Sequence, residues 1–312
     1  MYEVIVNPAA RNGQARQIGE EAERYLKEKQ VDFVIRYTEY PGHATELARD
    51  AANRGVETVI AMGGDGTVCE TAAGLVHTNP SLGIAPAGTG NDFIKTIGTP
   101  RNWKKALDFI LTHPARPVNT GEVNDRFFLN VCGGGFDVLT LTYALEAKKH
   151  VKGIWPYLYG VLRAIRTFKP FKMHIQVGDD LTLDKDCMIC TIANGRYIGG
   201  GIPIASMADV EDGLLDVLVV DAVPRWKIPF YLPSLMGGSL YKRKVAHHYR
   251  VKTCSLSSPG MMLNLDGEIL PIEESHYRIF TDALKKAVGD DWAKHIITTT
   301  GADRGNLTVH HA

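Results

Sequence analysis

A chain of 312 residues with 35 basic and 35 acidic side chains has no net charge to draw it to nucleic acid, and its 45% apolar and 22% charged residues are those of a globular protein large enough for two cores. No stretch reaches the roughly 18 uncharged apolar residues of a membrane-crossing helix, and MYEVIVNPAARNG lacks a basic leader with an apolar core, so neither a span nor export by that route is expected. Five cysteines with one close pair fit reduced thiols in the cytoplasm better than a disulfide framework.

In chain order, YEVIVNP reads as a strand followed by a helix around Ala15 to Glu28, and FVIRY as a strand followed by a helix from Ala44 to Asn53. TVIAM precedes a helix from Thr67, and LGIAPAG precedes the helical NDFIKTIG. Repeated strand and helix alternation implies a parallel sheet covered on both faces, with its ligand beyond the carboxyl ends of the strands. Val59 to Met62 are continuously apolar, as in a strand buried on both faces.

The turn after that run, Gly63, Gly64, Asp65, Gly66 and Thr67, places three glycines and a carboxylate at a helix start. Glycine lets a ligand approach the main chain, and the amides of a helix N-terminus favour phosphate. Asp65 would repel a bare phosphate, so its presence calls for a cation in between and hence a magnesium nucleotide. A second such turn follows at APAGTGNDF, with Gly88, Thr89, Gly90, Asn91 and Asp92. The plainer reading of each turn is a tight connection in which Thr67 and Asp92 cap the helices.

Beyond Pro117 the texture changes to short strand candidates: FFLNVCGG, KMHIQVGDDLTLD, MICTIAN, LLDVLVV, VKTCSLSS, MMLNLDGEI and YRIF. These predict a mainly antiparallel second domain, interrupted by helical stretches at about 137–168 and 225–246. In a regular strand Cys187 and Cys190 point to opposite faces, which argues against a shared zinc. In MADVEDGLLDV, Asp209, Asp212 and a main-chain carbonyl near Leu214 can offer hard oxygen ligands to magnesium; the alternative is a solvated acidic turn. LDGE offers Asp266 and Glu268 as candidate bases, and Asp-Gly there also has a hairpin's composition. Aromatics and leucines mix with Lys242, Arg243, Lys244, Arg250 and Lys252 in one segment, and similarly from Lys148, which suits docking on an anionic bilayer or, equally, packing on a core. DDWAKHIITTT reads as a further helix.

GGDGT followed by Glu70, PAGTGNDF about twenty residues on, VNP near the start, Thr38 with GHA at residues 42–44, NGRYIGGGIPIASMADVEDGLLDV and LDGE together resemble the diacylglycerol kinase catalytic-domain superfamily, in particular its soluble bacterial lipid kinases. The resemblance runs from Met1 to about Val288. It implies an α/β ATP-binding domain of phosphofructokinase-like topology over residues 1–117, a β-sandwich acceptor domain over 118–288, a cleft between them, and a tail, 289–312, that packs back on the first. It implies ATP contacts from Asn7, Thr38, Gly63, Gly64, Asp65, Gly66, Thr67, Glu70 and Thr89. Asp65 would work with the bridging magnesium, Asp92 would lie near the reacting centre, a second, structural magnesium would sit at Asp209, Asp212 and Leu214, and the general base would be in LDGE. The activity implied is transfer of the γ-phosphoryl group of MgATP to a lipid hydroxyl, of diacylglycerol or a related lipid alcohol, by a cytoplasmic protein that meets an anionic membrane surface peripherally. Nucleic acid is not an expected partner, and homo-oligomerisation is left open. The rival readings are an NAD kinase-like small-molecule kinase and a catalytically silent lipid-binding regulator.

Overall fold

A computed structural model describes residues 1–148, 151, 155–272 and 274–287. Its contacts divide the chain into two units. The first comprises Met1–Thr120, Val210–Asp212 and the described residues from Phe280 onward; the second comprises Gly121–Asp209 and Gly213–Ile279. The tail helix expected near residue 290 lies outside the described residues.

The first unit is the alternating pattern made solid. Strands β1 (Tyr2–Val6), β2 (Phe33–Tyr37), β3 (Thr58–Gly63) and β4 (Ser81–Pro86) alternate with helices α1 (Gln14–Glu28), α2 (His43–Asn53) and α3 (Asp65–Leu75), and α4 (Asp92–Ile97) and α5 (Trp103–Thr112) follow. The four strands are parallel in the order β2, β1, β3, β4, with Tyr2 opposite both Phe33 and Thr58, and Thr58 opposite Ser81. Val4, Ile5, Val6, Ile60 and Met62 are fully buried, the two-sided burial their apolar runs predict. α1 turns Ala15, Ala22 and Leu26 onto this sheet at helical spacing. α5 was not among the helices read from the sequence; Asn102 caps it, accepting from the Lys105 amide at 3.1 Å, and Ala106, Leu107 and Ile110 are buried. Because all four strands run the same way, the loops after β1, β2, β3 and β4 emerge along one edge.

Strand β5 (Ala115–Val123) has residues in both units. The second unit then holds β6 (Arg126–Phe128), β7 (Val131–Gly135), α6 (Phe136–Lys148), α7 (Trp155–Thr167), β8 (Phe171–Val177), β9 (Leu181–Ala193), β10 (Leu215–Asp221), α8 (Ile228–Met236), β11 (Ala246–Val251), β12 (Thr253–Ser257), β13 (Met262–Leu265) and β14 (Glu268–Pro271). The last strand, β15 (Glu274–Ala287), begins in the second unit; its Lys285 and Lys286 pair in parallel with Ser81 and Leu82 of β4 in the first, a fifth parallel strand that the strand-by-strand reading did not place. Among the described residues of the second unit, β8 with β9, β9 with β10, and β7 with β9 pair antiparallel. One core lies among Ile175, Ile192, Val217, Leu256 and Leu263; a second, with Ile189, Leu218 and Val220 from the other face of the strands, is covered by Phe136, Ala164, Phe168 and Ile228.

Two expectations are corrected in this unit, and of the two readings of LDGE the fold adopts the hairpin. Cys187 and Cys190 do not face opposite ways: both lie in the first core, because the register of β9 against β10 shifts, Val220 opposing Ile189 while Asp221 opposes Cys187. The helical stretch at 225–246 is a short 3-10 turn, α8, a second 3-10 turn and then a strand, since Gly238 adopts φ 67° and ends the helical run. Asp266 is not in a strand beside Glu268. Leu265 pairs with Glu268, leaving Asp266 (φ 47°) and Gly267 (φ 102°) as a two-residue hairpin turn of the kind Asp-Gly favours.

Candidate functional site

At the loop edge of the first unit, the β3–α3 and β4–α4 turns touch. A Cβ on Gly88 would overlap Gly64 Cα and come within 2.9 Å of the Gly64 nitrogen, so glycine is required for the two loops to close on each other. The loops are also joined by a side chain: Asp65 Oδ1 accepts the Asp92 amide at 2.5 Å. Burial, then the charge of Asp92, pushes the Asp65 carboxyl above the ordinary carboxylate range, while the amides of Asp92 and Asn91 and the charge of Lys95 pull it back. Two carboxylates crowded in this way carry a repulsion that a divalent cation would relieve, which is the fit expected of a magnesium nucleotide site.

Thr67 and Asp92 are not helix caps, contrary to the plainer reading. Neither α3 nor α4 has a side-chain cap, and Thr67 lies inside the first turn of α3, buried, with Oγ1 accepting from Asn7 Nδ2 at 3.0 Å. Asn7 holds that position because its own amide donates to Met62 O at 3.0 Å and its Oδ1 accepts from the Ala9 amide at 3.0 Å. The end of β1 is thereby tied to the helix after β3. Thr38 continues the edge, its amide donating to Val6 O at 2.9 Å. Glu70 reaches back to the start of α2: its Oε2 accepts the Ala44 amide at 3.3 Å and its carbonyl accepts Thr45 Oγ1 at 2.8 Å. Thr89 is exposed at the tip of the second loop, and Gly66 in the first loop is exposed with nothing within 4 Å of a Cβ placed on it. All the residues expected to contact a nucleotide thus lie on one edge of one unit, although the Glu70 carboxylate is engaged by the backbone.

Lys95 was missed by sequence reasoning. One turn after Asp92, its Nζ meets Asp92 Oδ1 at 2.7 Å, and both side chains are nearly buried. The i, i+3 spacing of acid and base in NDFIK was the signal available.

The second-unit candidates divide. The Asp266 carboxylate accepts the amides of Asn130 at 3.0 Å, Val131 at 2.8 Å and Leu129 at 2.6 Å, and its own amide donates to Val131 O at 3.0 Å. It locks the LDGE hairpin onto the start of β7. Taking a proton on this carboxylate would break bonds that hold the turn. Glu268 is exposed at the start of β14. Asp209 is half-buried near Arg196, whose guanidinium is pushed down by burial while the Asp209 charge opposes that shift; Arg196 Nε donates to Ala208 O at 2.7 Å. Asp212 is exposed, and Leu214 immediately precedes β10. Two carboxylates and a carbonyl are a hard-oxygen set of the type magnesium accepts with several waters. Among the described residues, no group of three or more His, Cys, Asp or Glu side chains is gathered to hold a metal.

A further carboxyl was not anticipated. Asp137, in the first turn of α6, has Oδ1 buried without a hydrogen-bond partner among the described residues, and burial pushes its carboxyl up to about 6. GFDV, an acid amid apolar residues just after a glycine strand, was its only mark in the sequence.

The model of the diacylglycerol kinase catalytic domain matches residues 2–123, and that of the YegS C-terminal NAD kinase beta sandwich-like domain matches residues 130–287. A protein of Enterobacter sp. (strain 638) named "Probable lipid kinase YegS-like" is 33% identical over 272 residues, covering 83% of this chain and 86% of its own. A protein of the same name from Xanthomonas oryzae pv. oryzae (strain MAFF 311018) is also 33% identical over 272 residues, covering 83% and 87%. Among solved structures, a "putative diacylglycerol kinase" from Bacillus anthracis str. Sterne superposes with a TM-score of 0.76 at 26% identity, over 93% of this chain and 97% of that one.

Proposed function

The chain belongs to the diacylglycerol kinase catalytic-domain family, carrying the YegS-type C-terminal domain, and from that premise we propose that it transfers the γ-phosphoryl group of MgATP to the hydroxyl of a lipid alcohol, diacylglycerol or a close relative. The observation that carries this reading is the contact of the two glycine loops, Gly64 against Gly88, on the edge where Asn7, Thr38 and Thr67 also lie. Main-chain amides of the first loop cradle the phosphates, and Asp65 with Asp92 marks where a cation is needed. Magnesium, when bound, neutralises charge on the phosphates. Lys95 holds Asp92 in its place at the start of α4.

Phosphoryl transfer to an alcohol forms one bond from the acceptor oxygen to phosphorus, breaks the bond to the ADP oxygen and releases the hydroxyl proton. We assign that proton to Glu268. Asp266 is the scaffold beside it, because three amides already occupy its oxygens. The acidic loop at Asp209, Asp212 and Leu214 is read as a second, structural magnesium site.

A lipid acceptor must be drawn from a bilayer, and the second unit carries side chains suited to one. Trp226 and Phe230 are 67% and 72% exposed, Lys227 lies over the Trp226 ring at 5.2 Å, and Lys242, Arg243 and Lys244 are exposed further along. Among the described residues no helix is long and apolar enough to cross a membrane. Peripheral contact with an anionic surface fits this pattern.

The test is phosphorylation of a total lipid extract with γ-labelled ATP and magnesium, the product being identified by mass spectrometry, with NAD as a parallel acceptor. A labelled lipid supports the reading. Label on NAD, or ATP binding with no transfer to any lipid, would replace it with a small-molecule kinase or a silent regulator respectively.

A further inference from the structure

The site described above accounts for phosphates and leaves the nucleotide's base without a seat. A candidate lies on the same edge, in the loop after β2. Tyr40 and His43 are stacked, their ring centroids 4.4 Å apart and their planes within 6°. Tyr40 is nevertheless 49% exposed. The pair is held rigidly: Tyr40 Oη donates to Glu46 Oε2 at 2.7 Å, His43 Nδ1 accepts the Glu39 amide at 3.1 Å, and the His43 amide donates to Tyr40 O at 3.2 Å. That last bond already closes the turn, so the stacked rings are not needed to make it. The result is an aromatic platform that has lost its side-chain freedom before any ligand arrives.

Its place along the edge is the second argument. The sheet order β2, β1, β3, β4 puts the β2 loop three strands from the β4 loop. At about 4.8 Å per strand this is roughly 14 Å, and roughly 10 Å from the β3 loop. A nucleoside triphosphate lying across the carboxyl ends with its γ-phosphate between the β3 and β4 loops would carry its base back over β1 toward β2, past Thr38.

We infer that the Tyr40 and His43 pair is the platform on which the purine base of the bound nucleoside triphosphate stacks, an assignment that rests on the nucleotide reading of the glycine loops. Stacking engages the π-face and reads no base edge, so at this platform adenine and guanine are held comparably.

The experiment measures dissociation constants of MgATP, MgGTP and magnesium tripolyphosphate for the parent, Tyr40→Ala and Tyr40→Phe. Tripolyphosphate carries the phosphates without a base. Tyr40→Ala should weaken MgATP and MgGTP by about tenfold, the loss of one base–aromatic stack, while tripolyphosphate affinity stays within twofold and Tyr40→Phe binds all three as the parent does. Unchanged MgATP affinity in Tyr40→Ala, or an equal loss for ATP and tripolyphosphate, would overturn the platform while leaving the phosphate cradle intact. A parent that binds no MgATP would instead overturn the nucleotide reading, and the platform with it.

Discussion

Replacing Gly88 by alanine probes the contact between the two glycine loops. The new Cβ would overlap Gly64 Cα and stand 2.9 Å from the Gly64 nitrogen, and both neighbours are backbone that no rotamer change can move. Restoring an ordinary separation of about 3.5–4.0 Å from both atoms requires the loops to part by more than about 1 Å. Overpacking of this kind costs about 1–3 kcal/mol in stability. Displacing phosphate-positioning amides by 1 Å costs on the order of a hundredfold in turnover. Gly88→Ala should therefore melt a few degrees lower and lose about a hundredfold in kcat/KM for MgATP, measured by phosphorylation of diacylglycerol or of the acceptor that the lipid-extract assay identifies. Gly66→Ala is the control: a Cβ there meets nothing within 4 Å, so its melting temperature should equal the parent's, and any loss of ATP affinity reports the ligand side of the loop. A Gly88→Ala protein with parental kcat/KM would refute the reasoning, since the loops could then separate without consequence.

Three further predictions follow from single groups. Asp266→Ala leaves the amides of Leu129, Asn130 and Val131 without their acceptor and should cost about 3 kcal/mol or more by urea denaturation, whereas Glu268→Gln should keep parental stability and lose about 10²–10⁴ in kcat; the reverse pattern would exchange their roles. Asp137, pushed from 3.8 to about 6 by burial, favours folding in its protonated form; that contribution is complete below about pH 4 and lost as pH rises through 6. Asp137→Asn should therefore gain up to about 3 kcal/mol on the parent at pH 8 relative to pH 4, and parallel stability profiles would count against a buried ionised carboxyl. Burial pushes the thiols of Cys132 and Cys187 up to about 12 and about 11 and raises Cys190 and Cys254 as well, leaving Cys69 half-exposed, so the native protein should react fast with a thiol reagent once and five times when unfolded. Rapid reaction of more than one thiol would contradict the packed core.

What the sequence revealed follows from how local the causes were. Two-sided apolar runs such as Val59 to Met62 and the glycine turns after them are short-range signals, and the parallel sheet and its loop edge were legible from them. The hairpin at Asp266–Gly267 was likewise written in turn residues. The misreadings have distant causes. The facing of Cys187 depends on a register shift imposed by β10, and the work done by Asp266 depends on amides more than 130 residues earlier in the chain. Asp65 reads as a cation ligand in sequence, and only the folded loops reveal that one of its oxygens also binds the start of α4. Lys95 and Asp137 escaped notice because burial, which gives each its character, is a property of the packed chain.

The most direct test of the account is amide hydrogen exchange across the first unit with and without MgATP. Protection should rise together at residues 63–67 and 87–92, with a smaller change at 38–43. Protection confined to one glycine loop, or arising away from both, would contradict a nucleotide held between them.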